Sequence, residues 1–318
     1  PSKYLKQELE KFYVCNLLDA FLNSKLSVVA PSYRHNYRRY IQIAREYFGS
    51  RDVRELRKLD IIRYKEHLEK NFSFGEKYIK NILDNFRTFM RYLKNDLEVI
   101  DNIPNFPEVD VPEPKMSWLS PQVQQRVFEC VPDVDKPVMA FLMLTGCRPS
   151  EGRALKCKDV NLNNNTITIS STFSCNEYRE KRKGRNAKSV TIPIHPELLG
   201  YLKGRVENNL SNIFVFVQKT GKHYSRSKLD RVWSTVREKA KLPDNTRMYD
   251  ATRHSFASQL VNSGVSLINV SRLMGHSNIK MTERYAHSDI EKLKIDISNL
   301  SLVGNVAVFK AKEKVGNV

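Results

Sequence analysis

The sequence predicts a mainly α fold with a small antiparallel β-sheet, of the α+β class, made of an N-terminal helical domain and a mixed domain. Three observations predict it. Residues 1 to about 100 repeat apolar side chains at helical spacing, with no period-two run among them. Pro104, Pro107, Pro112 and Pro114 then cluster with acidic residues. Period-two alternation appears only in the second half, where helical stretches surround it.

Phe12, Leu17, Leu18, Phe21 and Leu22 mark a first helix. Pro31 to Phe48 reads as a second, stopped by Gly49, with Tyr37, Ile41, Ala44 and Phe48 on one stripe. Its Arg34, Arg38 and Arg39 form a basic face open to two readings, plain solvation or a phosphate backbone. A third helix is expected after Asp60, over Ile61–Leu68. A fourth is expected from about Lys77 to Leu93, with Ile79, Ile82, Leu83, Phe86, Phe89 and Met90 apolar. Residues 1–100 thus form a compact helical domain. Proline fixes φ and removes a donor, so residues 101–117 read as an extended linker holding the domain boundary.

Beyond the linker, Ser120-Pro121 starts a helix running to Phe128. Lys136–Leu144 is an apolar helix closed at Thr145-Gly146, where glycine suits a left-handed cap. Another helix is expected over Pro149–Leu155. Residues 161–170 and 189–194 pair as strands, with Glu180–Lys188 as a very basic hairpin tip between them. Helices follow over Pro196–Asn208 and Ser227–Ala240, with a short strand at Ile213–Val217. Three more helices are expected, over 253–263, over Ser266–Met274 (closed by Gly275), and over Lys280–His287 with Tyr285 on it. The tail holds one apolar run, Leu302–Phe309.

Lys and Arg number 53 against 35 Asp and Glu, a net charge of +18. That surplus is the footprint of a polyanion binder, with nucleic acid the leading partner. The five cysteines are scattered, odd in number and without a Cys-x-x-Cys, which argues against a disulfide framework or a zinc site and fits a reducing cytoplasm. Absence of a His-Glu-x-x-His and of a phosphate-cradling glycine loop gives the expectation of no metal and no cofactor. Without an apolar run of membrane length or an apolar signal core, neither a membrane span nor secretion is expected.

Three fragments carry chemistry. They are Thr145-Gly-Cys-Arg148-Pro-Ser-Glu151, Asp250-Ala-Thr-Arg253-His254, and Gly275-His276 leading to Tyr285. Cleaving a phosphodiester without a metal needs a nucleophile, donors for the non-bridging oxygens and an acid for the leaving 5′ oxygen. Arginine gives planar multi-donor contacts to phosphate that lysine cannot reproduce. A tyrosine hydroxyl, with a pKa of about 10, can attack once activated. On residues alone, Tyr285 is either that nucleophile or a packed aromatic.

Together these fragments resemble the tyrosine recombinase, or phage integrase, family. The resemblance covers most of the chain: a helical core-binding domain, a linker, and a catalytic domain over 118–288. It implies Arg148, Arg253 and His276 as phosphate donors and Tyr285 as nucleophile. It also implies a hairpin lysine as general acid. Lys181, Lys183 and Lys188 are available, and Lys183 before Gly184 looks most like the family pattern. Glu151 is expected to orient Arg148. The family usually places histidine, sometimes lysine, three residues before the second arginine, and here that position is Asp250. Asp250 is expected in the site, either accepting the tyrosine's proton or bracing Arg253. Adjacent helical residues diverge by about 100°, so His254 is expected to support the fold rather than share a phosphate with Arg253. The hairpin residues Lys181, Arg182, Arg185 and Lys188 are expected on DNA.

The implied activity is site-specific recombination of double-stranded DNA through a 3′-phosphotyrosyl intermediate, as in integration, excision or resolution, with a phage, a mobile element, an integron or a chromosome-dimer system all fitting. The implied setting is a homotetramer on two paired sites, with accessory DNA-bending proteins, in the cytoplasm at the nucleoid. Residues 289–318 are expected to dock on a neighbouring subunit through Val303–Phe309. Rival readings are a type IB topoisomerase or telomere resolvase, and a DNA-binding protein silenced at Asp250.

Overall fold

The computed structural model describes residues 11–29, 31–112, 116–174, 176–182, 188–207 and 213–286. It is mainly helical with small antiparallel sheets, and it divides into two compact units. One comprises residues 1–115 with 174–177, the other residues 116–173 with 178–318. Among the described residues, no helix is long and apolar enough to cross a membrane.

The first unit packs the helices Val14–Leu26, Pro31–Phe48, Lys58–Asn71 and Glu76–Asn95. Their apolar stripes meet as the spacing requires. Ile41, Ala44 and Phe48 of the second helix are buried, as are Ile79, Ile82, Leu83, Phe86, Phe89 and Met90 of the fourth. Phe48 stacks on Phe86 with ring centres 4.6 Å apart. Truncating such a ring to alanine costs about 3–5 kcal/mol. The third helix begins three residues earlier than expected, because Asp60 sits inside its first turn and accepts from the Arg57 N–H at 2.8 Å. Residues 101–112 are extended, yet Ile103, Phe106 and Val109 pack against this core, and the Arg87 guanidinium lies over Phe106.

In the second unit, Ser120 caps Pro121–Glu129, and Lys136–Thr145 is buried along most of its length. Gly146 closes the latter at φ +60. The expected helix over Pro149–Leu155 is one turn only, Pro149–Gly152. It tightens into i→i+3 bonds (Ala154 N–H to Glu151 O, Leu155 N–H to Gly152 O), and Ser171 Oγ takes the Ala154 carbonyl. β1 (Val160–Asn161), β2 (Thr166–Ile169) and β5 (Val190–Pro193) form an antiparallel sheet in the order β1-β2-β5, with Ile167 opposite Ile192. Alternation puts Ile167, Ile169 and Ile192 into the core beside Phe141, Leu198, Val215 and Phe216. Two unexpected strands, β3 (Thr172–Ser174) and β4 (Glu177–Arg179), pair separately ahead of the basic tip. Ile213–Val217, expected as a strand, makes only isolated bridges, Lys156 with Phe214 and Val217 with His223.

The helices Pro196–Glu207 and Arg226–Lys239 follow. The stretch expected as one helix from 253 opens instead with a π turn, Asp250–His254, before the α-helix Ser255–Asn262. Leu267–Met274 ends at Gly275, φ +61. The last helix is Lys280–Glu283, shorter than expected, so Tyr285 lies in the turn after it, with its N–H on Thr282 O.

Candidate active site

Two helix ends and the π turn build the site. Gly146 and Gly275 each turn the chain sharply through positive φ, so the segments bearing Arg148 and His276 leave their helices towards one place. Neither glycine tolerates a β-carbon. At Gly146 it would enter the Phe256 ring, and at Gly275 it would meet the Arg182 guanidinium and Val190.

Arg253 joins the three fragments and is only 1% exposed. Its Nη1 donates to Gly146 O at 2.7 Å, and its Nη2 donates to Met274 O at 3.2 Å and to His276 Nε2 at 2.7 Å. His276 Nδ1 lies 2.7 Å from Thr282 Oγ1, on a fully buried threonine. Burial, with Arg253, Arg148 and Arg182 adding to it, pulls His276 down to about 3. The imidazole is therefore neutral.

Arg148 is held by Glu151. The Arg148 N–H donates to Oε2 at 3.0 Å and its Nη1 to Oε1 at 3.1 Å. Arg182 also donates from Nε to Oε1, at 3.0 Å, and the Glu151 side chain is completely buried. Burial pushes the Glu151 carboxyl up, but Arg182 and Arg148 outweigh it and hold it below its ordinary range. The expected orienting role of Glu151 matches this geometry.

Arg182 departs from expectation. Instead of facing DNA it is 5% exposed, bonded to Glu151 and close to the Lys188 and Met274 carbonyls. A buried carboxylate stays charged only when it is paired and its lone pairs are satisfied, and the hairpin supplies a second cation beside Arg148. Its neighbours Lys181 and Lys188 are exposed, while Lys183 and Arg185 lie outside the described residues. On the helix Pro31–Phe48, Arg38 and Arg39 are exposed and Arg34 is half-buried.

Asp250 also departs from expectation. Its carboxylate is buried but neither touches Tyr285 nor braces Arg253. It accepts from Arg247, at the backbone N–H (2.9 Å), Nε (3.1 Å) and Nη2 (2.7 Å). Side chain and backbone of one residue hold it across a single turn.

Tyr285 is 3% exposed and packs with Ala257, Val270 and Met274. Its hydroxyl lies 2.9 Å from His254 Nδ1. Burial, opposed by Arg253, leaves the phenol pushed up to about 12. His254 thus touches the candidate nucleophile, which adjacency to Arg253 did not suggest. The two side chains do diverge. Arg253 turns to Gly146 and His276, and His254 turns to Tyr285. The nearest signal in the sequence was the missing histidine at 250. Among the described residues, no group of three or more His, Cys, Asp or Glu is placed to hold a metal ion.

With this geometry the chain can be compared with known proteins. The model of the phage integrase family matches residues 118–292, over half of the chain. The chain belongs to the phage integrase family, the tyrosine recombinases. It is 24% identical over 203 residues to the tyrosine recombinase XerA of Pyrococcus furiosus, covering 62% of this chain and 66% of that protein. Against XerA of Pyrococcus horikoshii the identity is 27% over 54% of this chain and 56% of that protein. The chain thus spans less than two thirds of the length of these two relatives. Against XerA of Thermococcus kodakarensis it is 23% over 82% and 87%. In fold it is similar to the Tn1549 transposon integrase in complex with a circular intermediate DNA, at TM-score 0.75 and 20% identity, covering 91% of this chain and all of that one. It is also similar to a lambda integrase dimer bound to a COC′ core site, at TM-score 0.66 and 13% identity, covering 90% and 81%.

Proposed function

We propose that this protein is a site-specific DNA recombinase that cuts and rejoins double-stranded DNA through a 3′-phosphotyrosyl intermediate. One observation carries the reading: buried Arg253 draws the turns of Arg148 and His276 together beside the pocket that holds Tyr285. In this reading Tyr285 attacks the scissile phosphorus. Arg148 and Arg253 neutralise the non-bridging oxygens, and His276 donates to one of them. Lys183 gives a proton to the leaving 5′ oxygen. The phosphotyrosyl bond stores the energy of the broken one, so rejoining needs no nucleotide cofactor.

The net charge of +18 supports duplex DNA as the partner, as do the DNA complexes of the Tn1549 and lambda integrases. Arg38 and Arg39, with Lys181, Lys188 and Arg185, track phosphates. Arg34, half-buried on the same helix, is assigned to the same task. Recombination pairs two sites, so the working form is a homotetramer on DNA, with residues 289–318 docking between subunits and DNA-bending proteins assisting. Its place is the cytoplasm, at the nucleoid, in the service of a mobile element such as a transposon or phage. The domain limits proposed are 1–100, a linker over 101–117, and a catalytic domain over 118–288.

A plasmid assay separates this reading from a type IB topoisomerase. The site is taken from DNA flanking the gene or selected from a random pool. Exchange between two copies of the site is expected. Relaxation of supercoils without exchange would assign the topoisomerase activity instead.

A further inference from the structure

We propose that His254 takes the proton from Tyr285 as the tyrosine attacks, with Asp250 behind it, and so fills the role left open by the missing histidine at position 250. This rests on the reading of Tyr285 as nucleophile.

The imidazole of His254 stands between the candidate nucleophile and a buried carboxylate. Tyr285 Oη is 2.9 Å from His254 Nδ1. On the far side of the ring, His254 Nε2 is 4.0 Å from Asp250 Oδ1. At that distance the carboxylate acts on the ring by its charge, not through a hydrogen bond, and favours the tautomer with its proton on Nε2, which leaves the Nδ1 lone pair for the tyrosine. Arg247 pins Asp250 through three N–H groups, so the carboxylate cannot swing round to the tyrosine itself. The Tyr249 ring and the imidazole pack in a T shape with ring centres 4.9 Å apart, which helps to hold the imidazole's plane.

The other polar groups near Tyr285 cannot do this work. Arg253 and Arg148 are permanent donors. His276 faces Arg253 and Thr282 in the DNA-free site, and in the proposed reaction it is committed to a non-bridging oxygen. His254 and Asp250 lie four apart in the turn Asp250–His254 and share a side, as residues at that spacing do in a helix, while Arg253 points away to Gly146 and His276.

The charge balance suits the role. Burial lowers the His254 pKa below the ordinary histidine range, Asp250 raises it, and Arg247, Arg253 and Arg284 lower it further. Tyr285 and Tyr249 complete the groups that face the ring. The resting imidazole is neutral and free to accept. In cleavage the Tyr285 Oη–P bond forms and the P–O5′ bond breaks. The phenolic proton passes to His254 Nδ1, and the 5′ oxygen leaves with a proton from Lys183. Rejoining runs the same transfers backwards, and the imidazolium re-protonates the tyrosine.

The test is single-turnover cleavage of a nicked suicide duplex across pH, with the full chain. His254→Ala should cleave about 10²–10⁴-fold more slowly at unchanged DNA affinity, and added imidazole should restore part of the rate. His254→Gln should lose the acid limb of the pH–rate profile. Should either variant misfold, Asp250→Asn keeps the base and removes only the carboxylate that raises its pKa, so the acid limb should move to lower pH. Wild-type rates in His254→Gln with the acid limb unchanged, or a slow His254→Ala that imidazole does not restore, would overturn the proposal and leave Tyr285 as nucleophile. Cleavage by Tyr285→Phe at the wild-type rate would overturn the reading beneath it as well.

Discussion

Arg253 donates from Nη2 to Nε2 of His276 at 2.7 Å, and that contact fixes the histidine's tautomer. A guanidinium has no lone pair to offer, so Nε2 must accept, and the ring proton sits on Nδ1 against Thr282 Oγ1. In this arrangement His276 cannot donate to a phosphate through Nε2. A phosphate entering the site competes for Arg253, frees Nε2, and favours its protonation.

His276 should therefore not titrate between about pH 5 and 8 in the DNA-free protein, and binding should take up a proton. Its folded-state pKa, about 3, lies below the ordinary value of 6.5. The neutral ring's contribution to stability is thus complete above about 6.5 and is lost as pH falls from there towards 3. NMR titration of His276, and calorimetry of DNA binding in buffers of different ionisation enthalpy, check the two halves.

Glu151→Gln should destabilise the second unit. The substitution preserves shape but leaves Arg148 and Arg182 without their shared counter-charge. Removing one member of a buried ion network costs about 3–5 kcal/mol, a fall in Tm of roughly 10 °C for a unit of this size. The carboxyl is held below its ordinary range, so its contribution is present above that range and is lost as pH falls through the folded value. Thermal unfolding against pH measures both effects.

Gly146→Ala should cost about 2–4 kcal/mol, from overpacking against Phe256 and from backbone strain at φ +60. Phe256→Leu in the same chain should recover the overpacking part and leave the strain. A double-mutant cycle by urea unfolding separates them.

Arg38→Ala and Arg39→Ala should each weaken DNA binding and reduce its salt slope by about 0.9. Lys181→Ala should do the same if the exposed hairpin lysine meets a phosphate. Arg182→Ala should instead act on stability, since its side chain is 3% exposed and bound to Glu151. Binding titrations at several salt concentrations, with unfolding curves beside them, distinguish the two patterns.

Much of the architecture was legible because single residues announced it. Pro31 and Gly49 bound a helix that runs from Pro31 to Phe48, and Gly146 and Gly275 end theirs in the left-handed conformation that only glycine adopts readily. The convergence of Arg148, Arg253, His276 and Tyr285 was legible as a set of fragments. What remained hidden depends on through-space pairing. Arg182 sits among basic residues that suggest solvent, and its burial follows from Glu151, 31 positions away. Asp250 was matched to Arg253, yet Arg247, three residues earlier, claims it. His254 diverges from Arg253 as helical geometry requires, but the partner it turns to, Tyr285, lies 31 positions away.

The most direct measurement of the central claim is the covalent adduct itself. A nicked suicide duplex is incubated with the protein, resolved on a denaturing gel, and the trapped peptide is mapped by mass spectrometry. The account predicts DNA joined through its 3′ phosphate to Tyr285, and no adduct from Tyr285→Phe. An adduct on another residue, or one that survives Tyr285→Phe, would contradict it.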